Sequence, residues 1–112
     1  MKWKIVLVPF PFDDLTGAKV RPAVCLTDEI SIYRHVVIAF ITSQVTNASE
    51  PSDVPLLFSS VDFPTMGLKV SSTIRLHRLV TIPTSIMLRQ LGDLPAGMQN
   101  IVEQKLRTMF GL

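Results

Sequence analysis

The chain has 112 residues, 47% hydrophobic and 18% charged, with a formal net charge of +2 and a positive mean hydropathy. That length supports one domain around one core, and the apolar content excludes an intrinsically disordered chain. Eight prolines break the apolar residues into short runs, none near the roughly 20 residues that a membrane-spanning helix needs.

In chain order, alternating β-branched and apolar residues predict a first strand over Trp3 to Val8 and a second over Val20 to Thr27. The apolar run behind Lys2 and Lys4 stops at Pro9, too early for a secretory signal, so a soluble cytoplasmic protein is expected. Pro9, Pro11 and Gly17 mark residues 9–19 as a loop, from which Lys19 and Arg21 enter the second strand. Cys25, the single cysteine, sits in an apolar pattern and reads as a small buried side chain.

Further strands are expected over His35 to Ile41, Val54 to Leu57, Ser72 to His77 and Leu79 to Ile82, with a short piece at Met87 to Leu91. Gln44 to Asp53 and Ser59 to Gly67 carry turn residues and read as surface loops. The period then changes: Met98, Ile101, Val102, Leu106 and Met109 recur at helical spacing, with Pro95 suited to the first turn and Gly111 to the stop. The pattern is mainly β, a small barrel or sandwich closed by a C-terminal helix over about residues 95–110.

Charge is distributed unevenly. Acidic residues (Asp13, Asp14, Asp28, Glu29, Glu50, Asp53, Asp62) fall in loop-like segments, whereas Lys19, Arg21, Lys69, Arg75 and Arg78 fall in or beside strands. Neighbouring strands bearing cations make a surface suited to a polyanion, although single strand cations also serve to protect sheet edges. No Cys/His cluster has zinc spacing, so neither metal nor cofactor is expected.

The run VLVPFPFDDLTGAKVRPAVCL at Val6 to Leu26, VVIAFITSQ at Val36 to Gln44, GLKVSSTIRLHRLVTI at Gly67 to Ile82 and the closing LRTMFGL resemble the MazF/PemK-like toxins of bacterial type II toxin–antitoxin systems. The resemblance implies an SH3-like β-barrel with helices, a homodimer, and a metal-independent endoribonuclease, or mRNA interferase, acting on single-stranded RNA. It further implies a cognate antitoxin whose acidic, disordered tail competes for the positive groove. By the same resemblance Arg21, before Pro22, stands where the family places an arginine at the scissile phosphate, and Thr42 where it places an active-site threonine, with Ser43 beside it.

The chemistry fits those residue types. Metal-free cleavage uses the substrate's own 2′-hydroxyl, so the protein must remove one proton, neutralise a phosphorane and protonate a leaving oxygen. Arginine suits the second task, because its fork donates two hydrogen bonds and stays charged. Arg75 and His77 alternate with Ile74 and Leu76, which allows both to face one side of the sheet. PemK-like relatives carry an aspartate two residues after this arginine; here His77 takes its place and is a candidate base. Some relatives also carry a glutamate where this chain has Thr16, which leaves the base the least determined role. Lys19 and Lys69 are candidate phosphate contacts or ordinary exposed lysines. Phe10 and Phe12 either stack on bases or plug the barrel end. Loss of a working base would leave a non-catalytic RNA- or antitoxin-binding module, and SH3-like barrels also hold peptides.

Overall fold

A computed structural model describes residues 1–9, 19–43 and 50–112. The alternation read along the sequence becomes strands β1 (Lys4–Pro9), β2 (Val20–Cys25), β3 (His35–Thr42) and β4 (Asp53–Leu56). A one-turn helix α1 (Phe63–Met66), the long strand β5 (Ser72–Pro83), a 3-10 turn (Thr84–Ile86), β6 (Arg89–Asp93) and helix α2 (Ala96–Phe110) follow. The strands form one antiparallel sheet in the order β4-β5-β3-β2-β1-β6, curled into a half-barrel, the mainly β architecture with a C-terminal helix that was expected.

Side chains alternate across the sheet and bury both faces. Ile5, Val24, Ala39, Ile41, Val54, Ile74 and Leu76 point to one face, where α1 adds Phe63 and Met66 and α2 adds Val102. Val6, Val8, Ala23, Cys25, Val36, Ile38 and Phe40 point to the other. Each fully buried aliphatic side chain contributes about 1.5–3 kcal/mol relative to exposure. Burial also pushes the Cys25 thiol up to about 11, in keeping with a packing role. On α2, Met98, Val102, Leu106 and Met109 face this core, whereas Ile101 is 43% exposed and turns away from it. Gly111 adopts φ 71° and stops the helix, while Pro95 precedes its first residue as the cap rather than sitting inside the first turn.

Three expectations need correction. Ser72 to Ile82 is one strand, not two. Ala39 faces Leu79 and Ile41 faces Ile74, so Phe40 alone opposes residues 75–78, and β5 bends there without breaking because β4 pairs its first half. The expected loop at Ser59 to Gly67 contains α1, whose four residues are too few to show a helical period. The helix is pinned by Gly67 at φ 72°, where a Cβ would come within 2.0 Å of the Leu91 carbonyl oxygen. Asp53, assigned to a loop, is the first residue of β4 and is 3% exposed. Pro55 fits this strand because β4 is a sheet edge.

The β2–β3 hairpin carries Ser31 and Arg34 at positive φ and is tied by a forked contact from Arg34 to Glu29, 2.8 and 3.1 Å. That hydrogen bond holds the Glu29 carboxyl below its ordinary range. His35 begins β3 and stacks on Tyr33 at 5.8 Å between ring centroids. No helix among the described residues is long and apolar enough to cross a membrane.

Candidate functional site

Register brings together residues that lie far apart in sequence. Arg21 pairs with Val8, which puts it on the face of Ala23, Cys25 and Phe40. The β2–β3 ladder pairs Ala23 with Phe40; Arg21 lies two residues before Ala23 and Thr42 two residues after Phe40, so alternation turns both to the face of that pair. Thr42 pairs with Thr73, Thr73 with Pro55, and Arg75 with Asp53. Arg21, Thr42 and Arg75 therefore share one face at one end of the sheet, contributed by three adjacent strands.

Arg75 is held there by a carboxylate that the sequence reading did not single out. Its Nε lies 3.1 Å from Oδ1 of Asp53, whose side chain is 2% exposed. The two atoms meet as an ion pair without the alignment of a hydrogen bond. The Glu50 backbone N–H donates to Asp53 Oδ2 at 3.3 Å, and Lys105 of α2 donates to the Asp53 carbonyl at 2.8 Å. The helix thus braces the strand residue that orients the guanidinium.

Arg21 also lines a cleft of about 420 Å³, together with Ser43, Lys69, Ser72 and Arg89; Thr42 and Arg75 do not line it, and Leu7, Pro22, Ile41 and Ser72 in its wall belong to the opposite sheet face. Its described lining holds three cations and two hydroxyls but no carboxylate, an arrangement suited to an anion with several oxygens. Gly67 and Leu91 form part of the wall, so the close approach of α1 to β6 shapes the cleft. Arg89 was overlooked in the sequence, where its signal was only a cation beside apolar Met87, Leu88 and Leu91. β6 brings it to the cleft by pairing it with Leu7 of β1. Lys19 is exposed at the residue before β2.

His77 stands elsewhere. It lines a second cavity, about 470 Å³, with Ser52, Gln104, Lys105, Thr108 and Met109, and its Nδ1 lies 2.8 Å from Ser52 Oγ. The two cavities share no lining residue. Phe10 and Phe12, as well as Asp13, Asp14 and Thr16, lie outside the described residues, as does most of the expected Gln44 to Asp53 loop. Among the described residues, no three His, Cys, Asp or Glu side chains gather to hold a metal ion.

A family profile described as PemK-like, MazF-like toxin of type II toxin-antitoxin system matches residues 1–110. The chain belongs to that family. Among solved structures, the Mycobacterium tuberculosis toxin MazF-mt6 is 26% identical at a TM-score of 0.73, with 97% of each chain covered. A MazE-MazF structure from Deinococcus radiodurans reaches 0.73 at 19% identity, covering 98% of this chain and 94% of that one. An endoribonuclease in complex with its cognate antitoxin from a mycobacterial species reaches 0.72 at 18% identity, covering 100% and 95%. The last two likenesses speak to the fold alone. A search of curated protein sequences returns no match. In this PemK-like, MazF-like toxin, the Arg21-Pro22 block lies at the start of β2 and Thr42 ends the neighbouring β3, with Arg21, Pro22 and Ser43 lining the cationic cleft.

Proposed function

We propose that the chain is a metal-independent endoribonuclease that cleaves single-stranded RNA as the toxin of its toxin–antitoxin pair. The observation that supports this reading is the gathering of Arg21, Thr42 and Arg75 on one sheet face, with Arg21 also lining a cleft that holds Lys69 and Arg89. In the proposed reaction the ribose 2′-oxygen attacks phosphorus, the bond to the 5′-oxygen breaks, and the proton lost from the 2′-hydroxyl is balanced by one delivered to the leaving oxygen. Arg21 and Arg75 neutralise the phosphorane, and the Thr42 hydroxyl fixes the phosphate. Ser43, Lys69 and Lys19 hold the neighbouring backbone, and a cleft of about 420 Å³ is in the size range of small-ligand sites. His77, engaged with Ser52 in the other cavity, is given no contact with the reacting atoms. The active form is a homodimer in the cytoplasm, and the inhibitor is an antitoxin whose acidic tail competes with RNA for the same cations.

The test is to incubate the purified protein with a long RNA in EDTA and map the new ends. Cuts leaving 5′-hydroxyl ends are expected, and Arg21→Ala should lower their rate by at least about 100-fold with the circular dichroism spectrum unchanged. Cutting that needs added metal, or the absence of new ends, overturns the reading. A non-catalytic binding module is the second reading, favoured by the distance in lining between His77 and the cleft; tight RNA binding without new ends identifies it.

A further inference from the structure

The cationic cleft continues into an apolar ledge that phosphate binding does not explain. Val70, 53% exposed, lines the cleft next to Lys69. β4 pairs its last residue, Leu56, with Ser72, the first of β5, so the segments that carry Phe58 and Val70 leave the sheet side by side. A hydrogen bond fixes this approach: the Phe58 backbone N–H donates to Ser71 Oγ at 2.8 Å. The Phe58 ring is 68% exposed, and it is steadied by Phe63 of α1 at 5.4 Å between centroids and 57° between planes. Phe63 itself is buried in the core. One large aromatic side chain is therefore held against Phe63, largely exposed, and tied by its backbone to Ser71, two residues from Lys69 in the chain.

We infer that Phe58 is a stacking platform for an unpaired nucleobase of the RNA whose backbone occupies the Arg21–Lys69–Arg89 cleft. This rests on the RNA-cleaving reading and adds a recognition subsite to it. Cations near an anchored aromatic side chain are the two parts that single-strand binding combines: phosphates follow the charge and bases lie on the ring. An acidic peptide would use the cations but would not require a flat ring face beside them. Val70 and Leu57, the latter 50% exposed, extend the ledge so that the base is covered along one edge.

The experiment compares two fluorescent, uncleavable 2′-O-methyl oligonucleotides of equal length, one oligoadenylate and one abasic, by anisotropy with wild type, Phe58→Ala, Phe58→Leu and Phe58→Trp. Phe58→Leu keeps apolar packing against Phe63 and removes only the ring face, so a folding defect in the alanine variant does not obscure the result. Phe58→Ala and Phe58→Leu are expected to weaken oligoadenylate binding roughly 5- to 100-fold and to leave abasic binding unchanged, while Phe58→Trp retains it. Equal loss on both oligonucleotides, or no loss on either, overturns the platform. Weakened self-association or antitoxin binding with unchanged oligoadenylate affinity also overturns it and assigns the ledge to a protein contact. Failure of the wild type to bind either oligonucleotide instead rejects the RNA reading on which the platform rests.

Discussion

The Arg21 cleft and the His77 cavity are nearly equal in size and opposite in construction. The cleft takes its cations from β2, from the segment before β5 and from β6, with no carboxylate among its described lining residues. In the second cavity the polar groups are turned on one another: His77 meets Ser52, and Lys105 meets the Asp53 carbonyl. Positive charge gathered in one cleft suits an anionic occupant, whereas internally paired groups brace the fold. Arg75 and His77 both fall in the stretch of β5 opposite Phe40, Arg75 against Asp53 of β4 and His77 against Ser52 and the cavity under α2.

Arg21→Ala gives the largest contrast, since the loss of activity belongs to the cleft and leaves the His77 cavity intact. Gly67→Ala comes next. The left-handed φ and the clash with Leu91 should cost at least about 3 kcal/mol in urea unfolding, and RNA affinity should fall because α1 is pushed from the cleft wall. Asp53→Asn keeps the shape and removes the charge that faces Arg75. It should cost about 2 kcal/mol, less than for a fully enclosed pair because the Arg75 side chain is 32% exposed, and should lower the cleavage rate along with stability. His77→Ala has the smallest expected effect, a rate reduced less than about tenfold and a pH–rate profile unchanged near neutrality, far below the loss a general base produces. A reduction as large as that of Arg21→Ala would erase the distinction between the two cavities.

Much of the fold was legible because strand and helix periods are local. The ends of β1, β2 and β3 were readable within one or two residues from alternation, and α2 from its apolar stripe and Gly111. Within the candidate site, Arg21, Thr42 and Arg75 were legible as chemistry-bearing residues in strands. Asp53 was not: an aspartate behind Glu50, Pro51 and Ser52 carries every local mark of a loop, and only the arginine that β5 brings alongside makes its burial tolerable. Arg89 was missed for a related reason, since its value lies in the β1–β6 pairing. His77 lines a cavity with α2 rather than the Arg21 cleft, a placement that depends on how the helix packs on β5 and has no local signal.

By itself the sequence determined where most strands run, where the last helix starts and stops, and which blocks mark a PemK-like, MazF-like toxin. Only the tertiary structure decided which cations share a cleft, which carboxylate holds Arg75 and which cavity receives His77. The physical reason is range. Side-chain direction along a strand follows from backbone geometry between adjacent residues, whereas the neighbour across the sheet depends on register, on a bulge and on a bend set by contacts between distant segments.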